Sequence, residues 1–212
     1  MVDMVVEYLL LVIAVILISV VIHEVMHGLV AFWLGDDTAK VNGRLSFNPV
    51  KHIDPIMSIM VPLVLAISGG PIFGGAKPVP INPYNLKWKE WGMALVAISG
   101  PLTNFILAFI FFAIFAIFHQ NPDDLLGIFL LLGLKVNIGF CVFNLIPIPP
   151  LDGSRVLYAI APDSIRRFIA GMERYGIFIV FALIIIFGGF FAQIMSGAIE
   201  GITNFFILIF GL

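Results

Sequence analysis

An apolar stretch near the N-terminus decides the fold: residues 4–34 read MVVEYLLLVIAVILISVVIHEVMHGLVAFWL. Residues 4–22 are apolar almost throughout, and about 20 such residues span a bilayer as a helix. At about 1.5 Å per residue, a helix that continues to Leu34 outruns a hydrocarbon core of about 30 Å. Asp3 stands where a cleavable signal peptide carries basic residues. The stretch therefore predicts a retained membrane span.

Composition extends this prediction to the whole chain. Of its 212 residues, 61% are hydrophobic and 11% are charged, and the mean hydropathy is +1.11. Soluble chains are roughly half apolar and a quarter charged, so we exclude a soluble protein. The net charge of −2, without a long basic stretch, excludes nucleic acid as a partner. Cys141 is the only cysteine, so no disulfide framework exists.

Three further apolar runs are long enough to be full spans: residues 93–118, 125–146 and 175–195. Residues 201–212 are apolar but short, and form either a fifth crossing or an interfacial segment. Residues 53–68 are also short and contain Pro55 and Pro62. Extended stretches at residues 44–47 and 76–81 suggest small β elements at the membrane face. The predicted fold is an all-α polytopic membrane protein with four to five transmembrane helices.

The first predicted helix carries an H-E-x-x-H sequence at residues 23–27. Residues four apart lie on one helical face, so His23 and His27 can bind one metal ion with Glu24 beside it. Ionisable residues at membrane depth are costly and functional by default. The alternative is that the two histidines cap backbone carbonyls at the membrane interface. The pattern favours a metal site with Glu24 as a base.

A catalytic zinc site needs a third protein ligand and a position open to water. Val30 and Trp33 stand where a metzincin continuation has glycine and histidine, so the ligand must come from elsewhere. Asp152 follows the third span in NLIPIPPLDG (residues 144–153), whose prolines break the helix. Such a break is tolerated at membrane depth where the backbone lines a cavity. An ordinary exit loop with an Asp-Gly turn is the alternative, and the other candidate ligands are His52, His119 and Asp54.

Together, HEVMH and NLIPIPPLDG resemble the motifs of the site-2 proteases, zinc metalloproteases that cut within membranes. GPLTN (residues 100–104), NP (48–49) and HIDP (52–55) resemble the compact prokaryotic branch. The resemblance covers residues 5–160. It implies Zn²⁺ bound by His23, His27 and Asp152, with Glu24 as the catalytic base. Ser154 replaces a second glycine of many relatives, and we expect no substrate selection by a PDZ-like or CBS-like module.

Three polar residues are candidates for supporting roles. Asn144 and Asn104 could each donate an amide hydrogen to the oxyanion that forms at the scissile carbonyl. Interhelical hydrogen bonding is the alternative for both. His52 could contact the residues that hold the metal, or it could act as a regulatory ligand. The alternative is a solvated residue beside Lys51. We assign Asn144 to catalysis and leave both alternatives open for Asn104 and His52.

The predicted topology follows from the requirement that the metal ligands meet. If residues 53–68 crossed the membrane, three crossings would separate the histidines from Asp152, and no metal site could form. If this segment is re-entrant, two crossings remain and ten cations share the side of the ligands. The positive-inside rule makes that side cytoplasmic, so we expect a cell-membrane protein whose active site opens to the cytoplasm. We predict one domain, residues 1–212, with a catalytic core at about 5–160 and C-terminal helices at 161–212.

The leading functional interpretation is an intramembrane zinc endopeptidase. The resemblance implies single-span membrane proteins as substrates, such as anti-sigma factors or signal-peptide remnants. A transporter of ions, protons or metal would use the same His, Glu and Asp residues, but transporters often carry broken helices in both halves of the chain. A non-catalytic relative that binds membrane proteins needs no base, and Glu24 is present. We therefore favour the protease.

Overall fold

The structure is a computed structural model that describes residues 2–60, 75–118 and 121–211. This part of the chain contains seven α-helices, which are α1 (Val2–Trp33), α2 (Thr38–Val41), α3 (Glu90–Ile117), α4 (Leu125–Asn144), α5 (Asp152–Ile160), α6 (Asp163–Glu173) and α7 (Gly176–Phe210). Pro49–His52 and Pro83–Asn85 form 3-10 helices, and Pro55–Met60 forms a π-helix.

Four of the described helices are long and apolar enough to cross a membrane, namely α1, α3, α4 and α7. The spans predicted at residues 93–118 and 125–146 correspond to α3 and α4. The protein is therefore a multi-pass membrane protein with a helical fold, as the apolar runs predicted.

Helix α7 joins two elements that the sequence analysis separated, the span at residues 175–195 and the short tail at 201–212. The helix is continuous apart from Phe187, whose φ of −114° and ψ of 22° are not helical. Its second part packs on α3, with the ring centroid of Phe206 5.6 Å from that of Phe105 and 5.3 Å from that of Phe109. The described part of the tail therefore continues the last predicted span rather than forming a separate helix.

Helix α3 lies between the other membrane helices and contacts α1, α4 and α7. A buried cluster joins it to α4 and α7, and consists of Ala108, Phe112, Ala116, Leu134, Ile138 and Phe206. Lipid tails are as apolar as these side chains, so close packing and polar contacts, rather than hydrophobic burial, select which helices meet. The buried polar groups of the bundle therefore carry much of the information about its arrangement.

Asp36 ties the end of α1 to the segment that leads into α3. Its carboxylate is fully buried and accepts hydrogen bonds from the Thr38 hydroxyl, the Asn82 amide at 2.7 Å and Asn85 Nδ2 at 3.1 Å. Burial raises the pKa of Asp36, but these hydrogen bonds lower it by more, so that the pKa lies below its ordinary value. The Lys87 amide also donates to the Leu34 carbonyl at 2.8 Å. The end of α1 and the start of α3 therefore lie at the same face.

The small β elements are not confirmed, because the described residues contain no β-strand. In the stretch at residues 76–81, Pro78 and Pro80 have no amide hydrogen to donate to a β-ladder. The Lys77 and Val79 amides donate instead to the His52 carbonyl and the Glu24 carboxylate, both at 2.9 Å. Of the segment at residues 53–68, only its beginning is described, and residues 61–68, with Pro62, lie outside the described residues.

Candidate metal centre

Helix α1 places both imidazoles of the H-E-x-x-H sequence on the face that packs against α3. His23 and His27 are each 7% exposed, and their rings are nearly perpendicular, with centroids 4.6 Å apart. Their Nε2 atoms lie 3.0 Å from each other. One helical turn separates the residues, so this convergence follows from the spacing alone.

Asp152 reaches the same point from the other end of the chain. The chain leaves α4 after Asn144, passes through the proline-rich segment, and begins α5 at Asp152 itself. A Cβ on Gly153 would lie 2.2 Å from the Leu145 carbonyl oxygen, so glycine permits the tight turn that aims this carboxylate. Asp152 Oδ2 lies 3.2 Å from Nε2 of His23 and 3.3 Å from that of His27. The two histidines and Asp152 therefore lie at one point, as the predicted topology requires.

The chemical state of Asp152 suits a metal ligand. Burial raises the pKa of its carboxyl group, but the neighbouring His23 and His27 lower it by more, to about 2. The carboxylate is therefore ionised at neutral pH. Its Oδ2 atom is buried and faces Nε2 of His23 at 3.2 Å and Nε2 of His27 at 3.3 Å. Buried charges in proteins are paired or coordinate metals, so a metal ion between these three atoms would compensate the charge of the carboxylate.

The three ligand atoms match the geometry of zinc. Four ligands at about 2.0–2.1 Å in a tetrahedron around zinc lie roughly 3.3–3.4 Å from one another. The observed edges of 3.0, 3.2 and 3.3 Å form a nearly equilateral triangle of this size. Two imidazole nitrogens and a carboxylate, with the fourth position left for water, make up a donor set typical of catalytic zinc.

Hydrogen bonds behind the histidines leave their Nε2 atoms free for a metal. His27 Nδ1 lies 2.8 Å from the Val96 carbonyl oxygen, which can only accept, so Nδ1 carries the proton. His23 Nδ1 lies 2.5 Å from Asn104 Oδ1. In both residues, Nε2 then presents its lone pair towards Asp152.

Gly100 of α3 lies directly against both imidazoles of the metal centre. A Cβ at this position would lie 2.5 Å from Cε1 of His23 and 2.5 Å from both Cε1 and Nε2 of His27. Real Cβ atoms essentially never approach so closely, so any side chain would displace the imidazoles. The glycine of GPLTN is therefore needed for the close approach of α3 to both histidines.

We expect Gly100→Ala to abolish zinc binding, because its methyl group occupies space that the two imidazoles need. Gly139→Ala in α4 is the matched control, since a Cβ at Gly139 meets nothing within 4 Å among the described residues. Zinc content per purified protein, measured for both variants, checks the prediction. A Gly100→Ala protein that keeps one tightly bound zinc would contradict the geometry given above.

Glu24 lies beside the metal centre without joining the group of three ligands. Its side chain is half-buried, and Oε2 accepts a hydrogen bond from the Val79 amide at 2.9 Å. This contact holds one carboxylate oxygen against the segment that precedes α3. None of the described residues forms a hydrogen bond with the other oxygen, Oε1, which can therefore accept a proton.

The structure separates the supporting candidates. Asn104 is fully buried, with Oδ1 at His23 and Nδ2 donating to Asn137 Oδ1 at 2.8 Å, so its amide is not free to bind an oxyanion. Asn144 Nδ2 donates to the Phe140 carbonyl at 3.0 Å within its own helix. The interhelical alternative therefore describes Asn104, and the oxyanion role of Asn144 stays a prediction.

Two of the remaining candidate ligands, His52 and Asp54, lie apart from the group of three. His52 is 3% exposed, so it is not a solvated residue, and its Nε2 contacts the Ser46 carbonyl at 2.8 Å. Asp54 Oδ1 accepts hydrogen bonds from the Ile56 and Met57 amides and so caps the π-helix. His119 lies outside the described residues.

Two buried polar residues near this centre were missed by the sequence analysis. Asn137 and Ser19 are both fully buried, and Asn137 contacts Asn104. Each interrupts an apolar span, and Ser19 lies one helical turn before His23 on the same face. Polar residues inside membrane spans usually face the bundle interior, and this signal could have identified both.

Comparison with known proteins finds relatives that are named putative zinc metalloproteases. It is 37% identical to "Putative zinc metalloprotease YwhC" of Bacillus subtilis over 177 residues, which cover 80% of this chain and 77% of that protein. It is 31% identical to "Putative zinc metalloprotease Rip2" of Mycolicibacterium smegmatis over 179 residues, 83% of this chain and 67% of the relative. No family model matches the chain, and no solved structure matches it. The chain belongs to the site-2 protease family of zinc metalloproteases.

Proposed function

We propose that this protein is an intramembrane zinc endopeptidase, which hydrolyses peptide bonds within or near transmembrane segments of other membrane proteins. One observation carries the proposal. His23 and His27 lie in a membrane-spanning helix, and their Nε2 atoms form a triangle of zinc-ligand dimensions with Asp152 Oδ2. A metal centre at this depth gives its catalytic water access to a peptide bond in the membrane.

The chain's own residues divide the chemistry among them. His23, His27 and Asp152 hold the metal ion, which when bound lowers the pKa of water to about 7 and polarises the scissile carbonyl. Glu24 accepts the proton of the attacking water and returns it to the leaving amine. The Val79 amide holds Glu24 Oε2 in place, which leaves the second oxygen for this transfer. Asn144 is the proposed oxyanion donor, a role that requires its amide to leave the Phe140 carbonyl.

The proposed substrates are single-span proteins, of the anti-sigma-factor or signal-peptide-remnant kind, presented from the lipid bilayer. A transmembrane helix hides its amides in its own hydrogen bonds, so a substrate must unwind before its carbonyl can react. Residues 44–47 are the better candidate to hold the unwound chain by β-augmentation. No described residue accepts a hydrogen bond from the amides of Leu45, Ser46 or Phe47, whereas those of Lys77 and Val79 are occupied.

Cleavage of a labelled single-span substrate by the purified protein in lipid bilayers tests the proposed function. We expect cleavage that a zinc chelator stops and added zinc restores. Substrates with Gly, Pro or Asn near the cut are expected to be cleaved faster than a matched substrate with a poly-Leu span, because they unwind more easily. Equal rates for the two substrates would overturn the unwinding step, and no cleavage of either would overturn the proposed function.

We further propose that residues 53–68 form a re-entrant segment. The described residues on either side of its undescribed part are in contact, since the Gly75 amide donates to the Met57 carbonyl at 3.0 Å and Ser58 Oγ donates to the Gly75 carbonyl at 2.6 Å. A segment that returns to its starting point has not crossed the bilayer. This arrangement supports the topology in which two crossings separate the histidines from Asp152 and the active site opens to the cytoplasm.

Charge supports the same orientation. Ten of the eleven Lys and Arg residues lie outside the spans on the side of the metal ligands, and they are Lys40, Arg44, Lys51, Lys77, Lys87, Lys89, Arg155, Arg166, Arg167 and Arg174. Acidic residues occupy the opposite side, namely Asp3, Glu7, Asp123 and Asp124. The positive-inside rule then places the metal centre towards the cytoplasm.

Cysteine labelling on intact cells checks this topology. In a Cys141→Ser background, we expect Lys40→Cys and Lys87→Cys both to be protected from an impermeant thiol reagent. Asp123→Cys, on the opposite side, is the matched control and is expected to react. Labelling of Lys87→Cys without Lys40→Cys would mean that residues 53–68 cross the membrane.

A further inference from the structure

A row of buried polar side chains runs through the bundle behind His23. Ser19 of α1, Asn104 of α3 and Asn137 of α4 are all fully buried. Asn137 Nδ2 donates to Ser19 Oγ at 2.9 Å and to the Gly133 carbonyl at 2.8 Å. Asn137 Oδ1 accepts from Asn104 Nδ2 at 2.8 Å, and Asn104 Oδ1 meets His23 Nδ1 at 2.5 Å. The row therefore connects a backbone carbonyl of α4 to a candidate metal ligand on α1.

The Gly133 carbonyl determines the direction of every hydrogen bond in this row. A backbone carbonyl can only accept, so the amide group of Asn137 must face it with its NH₂. Asn137 Oδ1 then faces Asn104, whose NH₂ group must donate the hydrogen bond to it. Asn104 consequently presents Oδ1 to His23, and an acceptor at that distance requires the proton on His23 Nδ1. At each step only one orientation of the amide group satisfies both of its hydrogen bonds. Asn137 therefore determines the tautomer of His23 through Asn104, without contacting His23 itself.

We propose that Asn137 is a positioning residue for the metal centre. It orients Asn104 and thereby holds His23 in the Nδ1–H tautomer, with the Nε2 lone pair directed at the metal. The inference rests on the proposed zinc site. The two imidazoles are set by different routes, because His27 Nδ1 donates directly to the Val96 carbonyl of α3 and does not depend on Asn137. His27 is therefore an internal control within the same protein.

Loss of Asn137 allows the side-chain amide of Asn104 to rotate by half a turn, which exchanges its oxygen and its NH₂ group. In Asn137→Leu, neither end of the Asn104 amide is held by α4, so its NH₂ can face His23 Nδ1. That orientation favours the Nε2–H tautomer, which places a proton on the atom that the metal needs. Partners behind metal-ligating histidines typically change metal affinity by about 10–100-fold, and for this more distant residue we expect a loss of about tenfold.

The experiment measures tautomers and zinc affinity on the full chain. The protein, labelled with ¹⁵N-histidine, is studied by NMR in detergent micelles without metal, at a pH at which the ¹⁵N chemical shifts themselves show that both imidazoles are neutral. The chain has only four histidines, so the spectrum is sparse. Zinc affinity is measured separately by competition with a chelator. Thr103→Val is the control. It removes a half-buried hydroxyl that donates to the Ser99 carbonyl at 2.7 Å. Thr103 is next to Asn104 in sequence but does not belong to the row of hydrogen bonds that leads to His23.

We expect His23 of the wild type and of Thr103→Val to be in the Nδ1–H form, and His23 of Asn137→Leu to be a mixture, with His27 unchanged. In Asn137→Asp, a protonated carboxyl group can donate its O–H to the Gly133 carbonyl and keep its other oxygen towards Asn104, so this variant is expected to restore the wild-type tautomer. An unchanged His23 in folded Asn137→Leu would overturn the proposal. So would equal changes in His23 and His27, which would indicate general loosening of the bundle.

A second variant and the comparison of tautomer with zinc affinity keep the outcomes separable. If Asn137→Leu does not fold, Asn137→Ala poses the same test with a smaller side chain. If the wild type binds no zinc although Asn137 controls the His23 tautomer, the proposed function fails and the positioning role stands. If zinc binds with equal affinity to the wild type and to Asn137→Leu, the positioning role fails alone.

Discussion

Replacing Glu24 with glutamine leaves zinc bound and lowers the rate of peptide-bond cleavage by about 10²–10⁴-fold, the usual contribution of a general acid–base group. Glutamine keeps the size of the side chain and an oxygen for the Val79 amide, so the local structure is retained. It cannot accept a proton from the attacking water. Because the three metal ligands are untouched, zinc content should equal that of the wild type. Cleavage rate and zinc content, measured on the same preparations, check both halves of the prediction.

Glu7→Gln is the matched control for this variant. Glu7 lies on the same helix, is exposed, and is four turns away from the metal centre, so its replacement should change neither quantity. Cleavage by Glu24→Gln at the wild-type rate would show that Glu24 is not the base. The result would also favour a membrane-protein-binding role in which this carboxylate only orders the segment around Val79.

Replacing Asp152 with alanine is expected to remove both zinc and activity. Catalytic zinc sites have three protein ligands, and only two imidazoles would remain. Loss of a residue that merely hydrogen-bonds a ligand lowers metal affinity by roughly 10–100-fold, so loss of the ligand itself should lower it by more. The metal-free variant is expected to unfold cooperatively, at a somewhat lower temperature than the metal-free wild type, because His23 and His27 hold the pKa of the Asp152 carboxyl group below its ordinary value and its ionised form therefore stabilises the folded state at neutral pH. Zinc content, cleavage rate and unfolding temperature together distinguish a lost ligand from a lost fold.

Asp163→Ala provides the control, since Asp163 is the first residue of α6 just as Asp152 is the first residue of α5. It is exposed and lies outside the group of three ligands. A full complement of zinc and full turnover in Asp152→Ala would prove the ligand assignment wrong and return the question to the remaining acids.

The number of membrane helices and the paired histidines could be predicted from the sequence because both are local properties. Apolar runs of about 20 residues identify spans whatever their partners, and a four-residue spacing places His23 and His27 on one face of any helix. Asp152 was singled out by its proline-rich setting and by resemblance to a family. Where the local signal was weak, the predictions were not confirmed: the span at residues 175–195 and the described part of the tail at 201–212 form one helix, and the extended stretches form no strands among the described residues.

Only the tertiary structure decided which polar groups meet inside the bundle. The sequence could not decide between two roles for Asn104, because nothing in its neighbouring residues points to His23 or Asn137 as its partners. The close approach at Gly100 likewise depends on how α3 crosses α1. Lipid-facing and helix-facing surfaces are equally apolar in such a chain, so hydrophobicity cannot specify which helices pair. The sequence by itself determined the spans and the chemistry that the metal ligands offer. Long-range packing determined how Asp152 and Asn104 come to His23, since hydrogen bonds between distant helices have no periodic signature.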